Sequence, residues 1–411
     1  MFWLTRVFFA IVAGVALAGL FSSVACTRRG KSSPIPPTAS PLTTIEVNPA
    51  TGNDSTGDGT PAKPYKTLTK AVAVVKASTT QNLTIQLATG TYNAAGGEIF
   101  PIVVPVGTNI VGTAYGAGPF RHRGSFVDGV GEDTSFEQLA GTASKRAFAT
   151  FEVAQDLASP VSLTGVYVGA SRLSIPAGAT YASVDALGPL SASHVTFAAG
   201  MRLTHPRVAG VLVPSGTFTC TACTIFGSDF ALVALALPNA IGPSVNLTGQ
   251  PAQSTIGGDI GILTDSTASI DASFQTFASK HYAYRDNLAP IASPFPGTGS
   301  VDFGHGDMGS QGGNLFIGAA RLISEISLSA ADAHVIARAD TWNASTQGTN
   351  AQGQYPRERT FRPGTSGRNV TVAAGANGAS VEVGPYPPAT PTPPPTSPTP
   401  SSGPTPTPGP T

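Results

Sequence analysis

Only 11% of this 411-residue chain is charged, so the clusters that could do chemistry are few. Gly304-His305-Gly306-Asp307-Met308-Gly309-Ser310 places a histidine and a carboxylate in a glycine-rich segment, residue types suited to proton transfer. The plainer reading is a glycine-rich turn that contains a histidine. Asp259, Asp265 and Asp271 recur at intervals of six and could line neighbouring turns. Clustered carboxylates can bind Ca²⁺, and with an Arg or Lys as base they can acidify a C–H bond; no arginine lies close to these three in sequence. Asn53, Asp54 and Asp58 are a second Ca²⁺ candidate, although such residues more often hydrogen-bond their own backbone in turns. Tyr282 and Tyr284 are two apart and would share one face of a strand, with His281, Arg285 and Asp286 beside them. They could form a sugar platform with Arg285, or pack under a loop. Cys220-Thr221-Ala222-Cys223 has ends roughly 10 Å apart if extended, beyond disulfide reach. A bridge therefore demands a turn at Thr221-Ala222, and a small structural disulfide or two buried thiols both stay open. A zinc or redox role would need two more ligands or a thioredoxin-like unit, which the sequence does not supply. None of these readings requires a cofactor.

The two ends carry addresses and spacers. Met1–Arg6 is a short, positively charged opening, and residues 7–21 form an apolar run too short to span a membrane as a helix. It ends in Ser23-Val24-Ala25-Cys26, which resembles the lipobox of bacterial lipoproteins, with Ser23 where Leu is usual. That resemblance implies an exported chain, a signal peptide over 1–25, lipidation of Cys26 and a membrane anchor, with Thr27 favouring the outer membrane. An ordinary signal peptide cut near Ala25 is the alternative. Residues 26–42 form a Pro-rich tether, and 385–411, almost entirely Pro, Thr, Ser and Gly, form a tail unable to bury a core.

Lys plus Arg and Asp plus Glu balance at 23 each, so no field steers a polyanion, which argues against nucleic acid as a partner. The 47 glycines and many Ser, Thr, Ala and Val residues suit a turn-rich β protein. Within 43–384, Ile45-Glu46-Val47 reads as a strand, followed by the loop Gly52–Thr60. Thr67 is a plausible N-cap for a helix whose Leu68, Ala71, Val72 and Val75 share a face. Short alternating strands then recur around Val161–Val166, Ala182–Leu187, Gly216–Thr221, Ser244–Thr248 and Ala268–Ala272. Taking Leu163, Val184, Phe218, Val245 and Ile270 as equivalent inward positions gives steps of 21, 34, 27 and 25, a coil-sized repeat with loop insertions. A β-sandwich is the alternative arrangement.

The ordered motifs of residues 45–113 are a Gly-x-Asp-x-x-x-Gly-Thr-like loop, Pro64-Tyr65-Lys66-Thr67-Leu68, Gly90-Thr91-Tyr92, and Gly97-Glu98-Ile99-Phe100-Pro101 through Gly112. They resemble the domain of unknown function numbered 1565 (DUF1565), a branch of the pectin-lyase-like proteins. The resemblance implies an all-β right-handed parallel β-helix over 43–384 whose short helix caps the open end of the solenoid. The fold carries a carbohydrate or another envelope component as the expected partner. Val301–Gly304, Gly309–Asn314 and Trp342-Asn343 resemble the family's last coils, with 341–355 as an irregular closure. The His305 segment is similar to the Gly-His-Gly…Gly-Ser of polygalacturonase-type glycoside hydrolases. However, the Asp-Asp, Asn-Thr-Asp and Arg-x-Lys motifs of those enzymes are missing. The sequence therefore favours a binding protein, with a diverged polysaccharide lyase or glycoside hydrolase as the second hypothesis.

Overall fold

The computed structural model describes residues 43–80, 82–113, 124–133, 147–155, 159–170, 180–199, 207–236, 242–249, 254–264, 268–286, 300–317, 325–328, 333–342, 349, 354–366 and 370–385. The signal and tether assigned above therefore lie outside the described residues, as do Cys26 and all of the tail but Pro385.

Among the described residues, three parallel sheets of twelve, nine and ten strands account for nearly all of the structure. They are called sheets 1, 2 and 3. The chain visits them in turn: Val161–Thr164 lies in sheet 1, Val166–Ala170 in sheet 2 and Thr180–Ala186 in sheet 3, before Leu190–Ser193 returns to sheet 1. This is a parallel β-helix. Only the pairings of Gly131–Asp133 with Ala147–Val153 and of Arg359–Phe361 with Ser380–Gly384 are antiparallel among the described strands.

The alternating pattern of each strand explains the register. In sheet 1, Val161, Leu190, Phe218, Val245, Ile270, Val301 and Val335 stack in one column, each buried. Leu163, Ala192, Cys220, Leu247 and Ala272 form the neighbouring column. A one-residue slip would turn both columns to solvent, so burial fixes the pairing. Of the residues expected to be equivalent, Phe218, Val245 and Ile270 are. Leu163 belongs to the second column, and Val184 lies in sheet 3, paired with Phe151 and Val211. The apolar alternation of a three-sheet coil repeats on every face, so sequence alone does not tell one sheet from another.

The corner from sheet 1 to sheet 2 is sharp because one residue takes a left-handed conformation. Gly165, His194, Ala222, Phe274, His305 and Ala339 all occupy this position, with φ between 53° and 63°. A non-glycine residue there costs roughly 1–2 kcal/mol. Part of this cost is offset because the corner N–H donates to the next rung, as His194 does to Thr221 O (3.0 Å) and Ala222 to Thr248 O (2.9 Å). The turn demanded between the cysteines is this corner: Cys220 and Cys223 are joined in a disulfide with Cα atoms 6.0 Å apart.

A helix, α1 (Leu68–Ala77), buries Leu68, Ala71 and Val72 over the first coil and closes that end. Thr67 caps it, its Oγ1 accepting from Lys70 N at 3.1 Å. Two carboxylates complete the N-terminus. Asp54 accepts from Lys66 N, Thr67 N and Thr67 Oγ1, and buried Glu98 accepts from Leu68 N, Thr69 N and Thr69 Oγ1 at 2.6–2.8 Å. Negative charge and free acceptors at a helix N-terminus satisfy the first N–H groups, which have no partner within the helix. The loop, Lys-Thr and Gly-Glu motifs thus form one network.

The far end is closed by aromatic side chains. Phe277 stacks on Phe316 (4.9 Å between centroids) and Phe316 on Trp342 (4.4 Å), while Tyr355 and Phe361 pack edge-on beyond. Trp342 is buried, on the last described strand of sheet 2. The coils do not end at residue 355, however, since Val370–Val372 and Ser380–Gly384 continue sheets 3 and 1.

Candidate functional site

The outer face of sheet 1 is a regular polar surface. Between its buried columns, Ser162, Ser191, Thr219, Asn246, Asp271 and Asp302 stand in register on successive rungs. Thr164, Ser193, Thr221, Thr248 and Ser273 form a second row, and Thr217, Ser244 and Ser269 a third. Rungs lie about 4.8 Å apart, and same-face residues along a strand about 6.7 Å apart. The result is a strip of hydroxyl and amide groups that runs into a pair of carboxylates.

Asp302 lies between buried Val301 and Phe303 and faces outward, yet it is only 1% exposed, because the loop from Gly304 to Asn314 folds over it. Its Oδ1 accepts from Gly304 N (3.0 Å) and Gly306 N (2.9 Å), and its Oδ2 from Ser310 N (3.2 Å). Gly306 presses so closely that a Cβ would sit 2.8 Å from Asp302 Cγ and from Ile336 Cδ1, which explains the glycine. The loop is fastened at both ends. Ser310 Oγ donates to Ala272 O, while Asn314 Nδ2 donates to Ala272 O and Phe303 O. Asn314 N donates to the buried Asp340, whose carboxyl burial pushes well above its usual range.

Beside this loop, Asp271 is half-buried, and its pKa is raised to about 6, first by burial and then by the charge of Asp302 on the next rung. His305 sits at the left-handed corner, and its pKa is lowered, chiefly by burial and also by Arg338, against the opposing pull of Asp302. Arg338 is held by Glu382 at 2.7 Å. Asp307 is exposed on the loop. Around Asp302 there are thus a carboxyl group able to hold a proton in mildly acidic solution and an imidazole held toward its neutral form.

The structure thus places His305 at the strip's end and brings Asp271 and Asp302 together there, a pairing the sequence reading missed. Its trace was present: Ser269-Ile270-Asp271 and Ser300-Val301-Asp302 repeat one pattern 31 residues apart. The expected alignment of Asp259 with Asp271 is not found. Asp259 lies at a corner leading into sheet 3, paired with His281 (2.5 Å) and near Lys280 (3.9 Å), whereas Asp271 faces out from sheet 1. Asp265 lies outside the described residues. Tyr282 and Tyr284 do not share a face. Tyr284 is buried in the core, its hydroxyl 2.7 Å from Thr264 Oγ1, while Tyr282 stays outside beneath the Arg285 guanidinium at 5.1 Å. The strand bulges at Ala283, which is itself buried, so the alternation that would have kept the tyrosines together is broken. In the first loop, Asp54 is engaged by the Lys66–Thr67 backbone, and Asp58 accepts from Thr60 N and Thr60 Oγ1. Among the described residues, no group of three or more His, Cys, Asp or Glu side chains is arranged to hold a metal ion.

No curated protein matches the chain. A solved structure of a rhamnogalacturonan lyase is similar with a TM-score of 0.36 and 12% identity, over 72% of this chain and 70% of that one. A likeness at this level says nothing of activity. Residues 50–179 match the family model described as a protein of unknown function, DUF1565. This segment, from the capping loop into the coil that holds Val161–Thr164 and Val166–Ala170, therefore carries the DUF1565 pattern, on a parallel β-helix whose sheets run on to Gly384.

Proposed function

We propose that the chain is an exported surface protein, lipid-anchored at Cys26 to the outer membrane, that binds polysaccharide or a related envelope component along the outer face of sheet 1. The observation that supports this is the strip itself. Four rungs from Ser162 to Thr248 present only Ser, Thr and Asn outward, in register, on a rigid scaffold. Each hydrogen bond to such a face is weak after water is displaced, and a polymer gains by making many at a fixed spacing. The Ser23–Cys26 segment and the Pro-rich stretch after it support the anchor.

The test is retention of the purified protein on a panel of insoluble polysaccharides, compared with a Thr219→Lys/Asn246→Lys variant. Loss of retention in the variant is expected, and equal retention of both proteins would sink the assignment to this face. Labelling with a radioactive fatty acid, expected to vanish in Cys26→Ala, tests the anchor.

A second reading, a diverged lyase or hydrolase, is favoured by one feature: Asp271, with a pKa raised to about 6, and His305 both feel the charge of Asp302 at the end of the strip. Against it, Asp302 is covered by its own loop and spent on three backbone N–H groups. New chain ends released from a polymer, and lost in Asp271→Asn, would make the enzyme the correct reading.

A further inference from the structure

We infer that the strip on sheet 1 takes an uncharged, hydroxyl-rich polysaccharide and rejects polymers of uronic acids. This inference rests on the reading of that face as a polysaccharide-binding surface and adds the class of polymer.

The argument is electrostatic. The strands of sheet 1 from Thr44–Val47 through Ser300–Gly304 contain no lysine or arginine. Their charged residues are Glu46, Asp271 and Asp302, all carboxylates. A uronate polymer carries one negative charge on every sugar, and carboxylates are recognised by guanidinium forks or by bridging cations. Among the described residues, arginines enter sheet 1 only at its C-terminal edge, and both are already engaged there. Arg338 is paired with Glu382 at 2.7 Å, and Arg359 lies over the Phe361 ring at 4.4 Å. The histidine on the same rung as Arg338, His334, has Nδ1 2.9 Å from Ser380 Oγ. Cation bridging has no prepared place either, since no described cluster of carboxylates is arranged to hold a metal. Asp271 and Asp302 instead project negative potential along the end of the strip, where a polyanion would be repelled.

The same face suits an uncharged glycan. Ser and Thr hydroxyls both donate and accept, and so do sugar hydroxyls, so either partner can reorient to complete the pair. Thr217, Thr219 and Thr221 on one rung, and Ser244, Asn246 and Thr248 on the next, form a three-by-two array with no apolar interruption. Contacts of this kind carry no net charge and are insensitive to ionic strength.

The experiment passes the purified full-length chain over an uncharged glucan, an uncharged mannan, polygalacturonate and alginate at pH 7.5, in low and in high NaCl. Retention by at least one uncharged polymer is expected, changing less than twofold with salt, with at least tenfold weaker retention on both polyuronates. An Asp271→Lys variant is expected to narrow that gap at least threefold in low salt. Polyuronate retention equal to or stronger than that of the uncharged polymers would overturn the inference and leave the polysaccharide reading standing. No retention on any polymer, by a protein whose circular dichroism shows it folded, would overturn the polysaccharide reading and this inference with it.

Discussion

Replacing Asp271 by asparagine removes one titration from the strip and leaves its shape. In the folded chain the Asp271 carboxyl has a pKa of about 6, against an ordinary value of about 3.9. A rise of about two units corresponds to roughly 3 kcal/mol for a fully buried group. Asp271 is only half-buried, and solvent screening reduces the expected effect to about 1 kcal/mol. The sign follows from proton binding. Because the folded state holds this proton more tightly than the unfolded state, stability is unaffected below about pH 4, falls as pH rises through 6, and stays lowered above it. Asparagine mimics the protonated acid at every pH. The variant should therefore match the parent near pH 4 and melt about 1 °C higher at pH 8, given the unfolding entropy of a chain of this size. The assay is differential scanning calorimetry of both proteins across that range. Because all other titrations cancel in the difference, a difference that does not change with pH, or a variant less stable at pH 8, would refute the reasoning.

Four further outcomes are expected. Glu98→Ala strips three donors at the start of α1 of their acceptor and should cost about 3 kcal/mol, seen as a lower urea midpoint and early proteolysis near Leu68. Phe316→Ala opens a cavity between Phe277 and Trp342 and should cost about 3–5 kcal/mol, with a red shift of Trp342 emission in the native state. Reduction of Cys220–Cys223, which closes a four-residue loop, should cost about 2 kcal/mol, and neither thiol should alkylate before reduction. The His305 imidazole should titrate by NMR below the usual histidine range, since burial and Arg338 both disfavour its charged form. In Arg338→Ala the midpoint should rise.

The repeating strands and the helix with Thr67 at its start were legible in the sequence. Each depends on local periodicity or on a cap within three residues. The link from Asp54 and Glu98 to that helix was half legible: the motifs were visible in order, but the hydrogen bonds span 12 to 30 residues. The strip and its carboxylate pair were not read. Ser162, Ser191, Thr219, Asn246, Asp271 and Asp302 become neighbours only once burial of Val161, Leu190, Phe218 and their successors has fixed which strands stack. Tyr284 was misplaced for the converse reason, since a single bulged residue at Ala283 reverses the side on which an alternating pattern puts it. Sequence by itself determined that short strands with one buried face recur along the chain, and the chemistry available to them. The tertiary structure decided which side chains meet, because in a solenoid contacts form across rungs, and the sequence separation between rungs is set by loops whose lengths follow no period.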